Sequence, residues 1–337
     1  MLKALDAGPR LLMDVQLRPV QGDRFQPTGF ADLGAAVYER HDGRRMLLVE
    51  SAQSVANRLE ATCLKGGGPD IAPELDGLAY IAVKLTGATE ATTSSLVEAH
   101  RLNSPFIISD KKFQEEFVKR AEYHKGQHID WKKVARAVFH YDPNALLHGV
   151  FLANLGDGRI KLPRALTGFI EAEDVREAAS GCVKNNALDP TGKVRAKDYD
   201  KDVYGNVPYA RMEYTAGRIT AYFNFDLSLL RAYGLPAVAE KLLVSLGLLK
   251  VRRFLGAGLR LRTACDLTPV GEVHVAQPAG FALPGEPELL AAVKGAIKAC
   301  AAEELFARPP VTELVTATVL KGGAKGDAKD DADDDDK

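Results

Sequence analysis

Leu11, Met13, Val15 and Leu17 alternate with Leu12, Asp14, Gln16 and Arg18, the period of a strand with one apolar and one largely polar face. The same period runs through 218–225, where Ile219, Ala221, Phe223 and Phe225 oppose Thr220, Tyr222 and Asn224. It returns at Leu259 and Leu261 against Arg260 and Arg262, after a glycine-containing turn in the run that starts at Arg252. A hairpin is expected from 35–38 and 46–50 around Asp42-Gly43, with further strands at 79–85, 149–154 and 165–172. Ser51 caps a helix through about residue 59, whose apolar stripe is Ala52, Val55, Ala56 and Leu59. On that helix Gln53 and Asn57 share another face, with Ser54 and Arg58 beside it. Segments 109–125 and 130–140 read as amphipathic helices broken at Gly126, inside a helical insertion of about 100–148. Pro236 opens a helix to 249, and a last helix covers about 287–306.

Three strands of one design need helices on their apolar faces, and 51–59 and 236–249 supply them. The order strand, helix, strands, helix, strand predicts an α+β two-layer sandwich of the ferredoxin-like or RNA-recognition type, enlarged by insertions. Its open face would present Asp14, Gln16 and Arg18, Thr220, Tyr222 and Asn224, and Arg260 and Arg262. From 241 to 265 there are six basic residues and no acidic one, a one-signed run that suits phosphate. Segment 183–209 mixes lysines, arginine, aspartates and tyrosines with little periodicity, and reads as a protruding insertion.

The stretch 16–38 is unusual. Pro19, Gly22, Pro27 and Gly29 fix or free its backbone at short intervals, as in a shaped loop. Between them Gln21, Asp23, Arg24 and Gln26 offer amides and a guanidinium to phosphates or sugars, and Phe25 and Phe30 would anchor or stack. A packed surface loop with an internal Arg24–Asp23 cluster is the plain alternative.

Composition narrows the function classes. The 337 residues are 46% hydrophobic and 26% charged, as in a soluble globular protein. No run approaches the ~18 apolar residues of a membrane span, and the N-terminus lacks a signal-peptide core, so a cytoplasmic protein is expected. Cys63, Cys182, Cys265 and Cys300 are scattered, which predicts buried free thiols. Residues 321–337 form an acidic tail that cannot fold, and the last five match an enteropeptidase site, as an expression tag would. Without 327–337 the body carries a net charge of +4, so a nucleic-acid site must be a local patch. His124 and His128 straddle Gly126 with no completing ligand, and no Walker loop or Gly-x-Ser-x-Gly elbow occurs. Metal and catalytic constellations are therefore weak in this sequence, and no cofactor loop is expected.

Three pieces carry a resemblance when taken in order: Val20 to Phe30, Val49 to Glu60, and Phe254 to Leu267. Together they resemble the backbone subunit of the type I-G (formerly I-U) CRISPR effector complex, the Cas-seven family of the RAMP superfamily. The resemblance runs from about 10 to 320 as one domain. It implies an RNA-recognition-type palm with helical fingers and a thumb, and 183–209 is the thumb candidate. It further implies several copies in a head-to-tail filament along crRNA in a Cascade-type complex of antiviral defence. Target DNA would pair with the guide, other subunits would cap the complex, and a recruited helicase-nuclease would cut. Guide contacts would fall on Gln21, Arg24 and Gln26, on Gln53, Ser54, Asn57 and Arg58, and on Gly256, Gly258, Arg260 and Arg262. Arg252 and Arg253 join them through the basic run. Two other readings compete: a RAMP endoribonuclease processing precursor crRNA, with His274 the nearest histidine, and a general single-strand RNA-binding module.

Overall fold

The computed structural model describes residues 2–6, 8–30, 33–194 and 205–319; the acidic tail and part of the thumb candidate lie outside the described residues. Strand β1 (Arg10–Pro19) buries Leu11, Met13, Val15 and Leu17 and exposes Gln16 and Arg18. Each of those buried side chains contributes roughly 1.5–3 kcal/mol by leaving water. The hairpin of β2 (Val37–Glu39) and β3 (Arg45–Glu50) follows. Helix α1 (Ala52–Ala61) is then capped by Ser51, whose side chain accepts from Ser54 N.

A second sheet starts with β4 (Tyr80–Gly87) and β5 (Ala91–Ser94). The helical insertion supplies α2 (Lys111–Ala121), α3 (Trp131–Tyr141) and α4 (Pro143–His148). Helix α2 stops before Gly126 because Glu122 turns left-handed, with φ at 45°. Next come β6 (Leu166–Glu173), a ribbon of β7 (Arg176–Lys184) and β8 (Val207–Thr215), and β9 (Arg218–Asp226).

Helix α5 (Ala237–Gly256) is longer than its sequence pattern suggested: it takes in Gly247 and Gly256 and stops before Gly258, whose φ of 76° is left-handed. It leads into β10 (Leu259–Arg262), β11 (Cys265–Pro269) and β12 (His274–Gln277). Helix α6 (Glu286–Ala302) ends four residues short of expectation, just before Glu304 takes a positive φ of 56°. Strand β13 (Val311–Thr318), which the sequence reading did not anticipate, pairs parallel to β4.

The main sheet runs in the order β10-β11-β1-β9-β6-β3-β2, every neighbour antiparallel, with β12 pairing beside β11 on β1. Taking β1, α1, β6, β9, α5 and β11 in turn, the chain follows a split β-α-β pattern within this mixed α+β architecture. Helix α1 sits close on the sheet at Gly168, where a Cβ would meet Phe223 at 2.8 Å and Val55 at 2.9 Å.

Buried polar ties join the helical insertion to the rest. Arg101 donates to both carboxylate oxygens of Glu60, at 2.6 and 2.8 Å, and to Gly149 O at 3.0 Å. Lys250, fully buried in α5, donates to Asn144 Oδ1 at 2.6 Å and meets His148 Nε2 at 2.8 Å. An ammonium only donates, so Nε2 accepts and the imidazole is neutral. Burial, reinforced by the Lys250 charge, holds the His148 pKa well below the usual range. Burial also pushes the nearby Asp142 up to about 6. No helix among the described residues is long and apolar enough to cross a membrane.

Candidate nucleic-acid interface

The loop after β1 is held by backbone hydrogen bonds to three elements, the β10–β11 hairpin, β8 and β3. Val20 N donates to Asp266 O at 2.9 Å, and Phe25 exchanges two 2.9 Å bonds with Tyr214 of β8. Gln26 N donates to Ala264 O at 2.7 Å and Thr28 N to Val49 O at 3.1 Å. Phe25 is buried as the anchor the sequence suggested, and Gly22 provides the left-handed turn with φ at 64°. Gln21, Gly22, Asp23 and Arg24 stay exposed at the tip. The loop's shape is therefore imposed by the sheet edge and the root of the ribbon.

Two carboxylates organise the arginines behind it. Glu50 is fully buried at the end of β3 and takes Arg58 Nε at 2.9 Å, Arg262 Nη2 and the Ser54 hydroxyl. Arg58 also donates to Leu261 O, and Arg262 donates from Nη1 to Gln26 O at 3.0 Å and Val49 O at 3.2 Å. Glu213, buried in β8, pairs with Arg211 at 2.7 Å and with Arg24 at 3.7 Å. Arg211 further donates to Gln26 Oε1 at 3.4 Å. Four guanidiniums thus surround two carboxylates, which leaves an excess of two positive charges about Gln26. Burial lowers the pKa of Arg58 and Arg262, but an arginine stays charged at physiological pH. A cleft of about 520 Å³ opens here, lined by Gln26, Pro27, Thr28, Arg211, Tyr214 and Arg262 among others.

The other candidate residues fall into three groups. Gln53 and Asn57 are exposed on α1, whereas Ser54 and Arg58 turn inward to Glu50. On β10 the alternation holds, with Leu259 and Leu261 buried and Arg260 exposed. A register shift between Arg260 and Arg262 pairs the former with Asp266 and the latter with Cys265. Arg262 is thereby drawn toward Glu50 and Gln26 and does not repeat the exposure of Arg260. Gly256 and Gly258 are exposed, and a Cβ at either would meet nothing within 4 Å; Gly258 has φ at 76°.

Arg252 and Arg253 depart from the expected turn. Both lie in the last turns of α5. Arg252 donates to Leu283 O at 2.5 Å and Pro284 O at 3.0 Å, holding the approach to α6. Arg253 binds Glu74 at 2.7 Å, Glu286 at 2.8 Å and Thr62 O at 3.1 Å. Their guanidiniums tie elements of the fold together.

Arg211, Glu213 and Glu50 were not among the residues singled out in sequence. Glu50 follows an apolar run and could have been flagged as a carboxylate at a strand end facing a helix start. Arg211 and Glu213 lie at the border of the aperiodic segment, where no local signal marks them. Among the described residues no group of three metal-ligating side chains occurs, and His124 and His128 sit exposed in the loop after α2. Cys63, Cys265 and Cys300 are buried free thiols as expected, but Cys182 is exposed on the ribbon.

The family model described as CRISPR-associated protein GSU0053 matches residues 11–177, the span from β1 into β7. No curated protein matches the chain. Among solved structures, the chain is similar to one in a "CRISPR RNA-guided surveillance complex, pre-nicking" at 14% identity and TM-score 0.42, covering 88% of this chain and 86% of that one. A chain of a "CRISPR RNA-guided surveillance complex" gives 15% identity and TM-score 0.38 over 88% and 80%. The crystal structure of Thermofilum pendens Csc2 gives 9% identity and TM-score 0.30 over 90% and 82%.

Proposed function

We propose that the chain is a non-catalytic, guide-RNA-binding backbone subunit of a CRISPR effector complex, of the type I-G class. The observation that carries this reading is the matched CRISPR-associated family segment, because it contains the pinned loop whose Gln26 meets Arg211 and Arg262. A backbone subunit must carry any guide sequence, so it should hold phosphate and sugar and leave the bases to pair. Arginine forks pre-set by Glu50 and Glu213 suit that task, since little side-chain freedom remains to be lost on binding.

In this reading Gln21, Arg24, Gln26, Gln53, Asn57, Arg260 and Arg262 contact the RNA backbone. Arg58 and Ser54 position Glu50 and Arg262, and Gly256 and Gly258 leave room for the strand. Arg252 and Arg253 serve the fold. The split β-α-β sheet is the RNA-recognition-type palm, the helical insertion the fingers, and the ribbon β7–β8 with its connecting segment the thumb. The thumb reaches the next copy, and a contact that repeats without closing gives a helical filament. Pairing with target DNA and recruitment of a helicase-nuclease follow from membership of such a complex.

One pair favours a second reading. His274 Nδ1 lies 2.8 Å from Asp14 Oδ2, and Tyr222 is opposite Asp14 on β9, residue types that general acid–base cleavage of RNA can use. Incubating the purified protein with labelled repeat RNA separates the readings. Intact RNA bound by a ladder of subunit copies, seen by native mass spectrometry, supports the backbone. Cleavage that disappears in His274→Ala would establish the enzyme, and a single one-to-one complex would mean a simple RNA-binding module.

A further inference from the structure

The face of the main sheet opposite the buried residues carries its own pattern. Across β12, β1, β9 and β6 the strand register places His274, Asp14, Tyr222 and Phe169 in one row. The flanking rows are Leu12, Asn224 and Thr167 on one side and Gln16, Thr220 and Glu171 on the other. Gln16, Asn224 and His274 are exposed, and Leu12, Phe169 and Tyr222 are partly so. The rings of Phe169 and Tyr222 lie 5.2 Å apart at 30°, an aromatic shelf on neighbouring strands.

We propose that this open face is a second nucleic-acid site, where unpaired bases of an RNA strand stack on Tyr222 and Phe169. The proposal rests on the guide-binding reading, and three observations select the occupant. First, the polar groups beside the shelf suit base edges and do not suit phosphate. Asp14 and Glu171 are acceptors that a phosphate would avoid, whereas the amino groups of cytosine, adenine and guanine donate to carboxylates. Both carboxylates already hold one partner, Asp14 the ring of His274 and Glu171 the hydroxyl of Tyr38 at 2.7 Å. That partnership fixes their orientation and leaves acceptor capacity on each, since a carboxylate has about four lone-pair sites.

Second, cations stand where the backbone of such a strand would run. Arg18 is exposed and has no side-chain partner among the described residues, and Arg218 is exposed while paired with Glu173. Arg18 lies four residues from Asp14 along β1, roughly 13 Å at the usual rise per residue.

Third, the face is continuous with the loop interface. A groove of about 410 Å³, lined by Gln16, Arg18, Asp23 and Arg218, joins the loop tip to the sheet. Gln16 belongs both to this groove and to the row next to the shelf, so a strand lying in the groove past Arg18 and Arg218 arrives beside Tyr222.

The test uses the full-length protein and single-stranded RNAs of unrelated sequence that carry one 2-aminopurine at successive positions. Ultraviolet crosslinking of the unmodified protein, mapped by mass spectrometry, is expected to label Tyr222 or Phe169, and 2-aminopurine fluorescence to be quenched at particular positions. Tyr222→Ala with Phe169→Ala should abolish that quenching and weaken binding roughly tenfold, within the range of base–aromatic stacking. Tyr222→Phe should preserve both. Crosslinks confined to the loop, or equal quenching in the double variant, would overturn the proposal. In either of those outcomes RNA binding lost in Arg260→Ala/Arg262→Ala leaves the guide-binding reading standing. Absence of RNA binding by the unmodified protein would sink both.

Discussion

Arg262 and Gln26, 236 positions apart in sequence, are joined by an Nη1–carbonyl hydrogen bond of 3.0 Å. The bond matters because Arg262 also holds Glu50, so loop, sheet and helix α1 share one charged knot. Glu50→Gln removes the negative charge beneath two half-buried guanidiniums. It should lower unfolding stability by roughly 3 kcal/mol, as does breaking a buried ion pair. Urea unfolding measures the change. A loss below about 0.5 kcal/mol would mean the knot is incidental.

Gln53 and Asn57 carry no such structural duty. Gln53→Ala with Asn57→Ala should weaken guide RNA binding while stability stays within about 0.5 kcal/mol of the unmodified protein, as for exposed helix positions generally. Binding titrations beside thermal melts check both halves of this expectation. Unaltered affinity would remove α1 from the interface.

The parts of this fold that could be read from sequence are those where period alone decides. The alternation at Leu11–Leu17 and Ile219–Phe225 became neighbouring strands in register, with Leu11 opposite Phe225 and Leu17 opposite Ile219. Strand β13 escaped because it pairs parallel to a strand more than 200 residues away, and nothing local announces that partner. Arg252 and Arg253 looked like Arg260 in sequence, yet Glu74, Glu286 and the carbonyls of Leu283 and Pro284 claim them. Whether a surface arginine is free depends on carboxylates distant in the chain. The same holds for Arg211, which reaches Gln26, and Glu213, which reaches Arg24, where Phe25 bridges to Tyr214.

The ribbon offers a chemical reporter. Cys182 is exposed on β7 opposite Tyr209, whereas burial pushes Cys265 up to about 11 and Cys300 up to about 12. Only a thiolate reacts readily, so Cys182 should label first with a maleimide at pH 7. Assembly on RNA should protect it if the ribbon packs against a neighbouring copy. Labelling at an unchanged rate in the assembled state would argue against the thumb role.

Acid should destabilise the protein through its buried histidines. Burial, with the charge of Arg120 adding to it, lowers His140 from 6.5 to about 4, and His148 is held well below 6.5. The unfolded chain protonates these rings near pH 6.5 while the folded one does not, so stability falls as pH drops from 6.5 toward 4. Asp142 works the other way: raised to about 6, it favours the folded state as it takes up its proton above the unfolded value of 3.8. Two histidines against one carboxylate give a net loss on acidification. His140→Gln should make the decline in melting temperature between pH 7 and 5 shallower, and an identical decline would exclude His140 as a source.

The central claim, that the protein grips an RNA backbone without reading its sequence, is tested most directly by binding as a function of salt. Equilibrium affinities for two unrelated single-stranded RNAs of equal length should coincide, and log K should fall linearly with log salt concentration. Arg260→Ala, at an exposed arginine with no partner among the described residues, should flatten that slope by roughly 0.7 for both RNAs alike. A slope that Arg260→Ala leaves unchanged, or an affinity confined to one of the two sequences, would contradict the account.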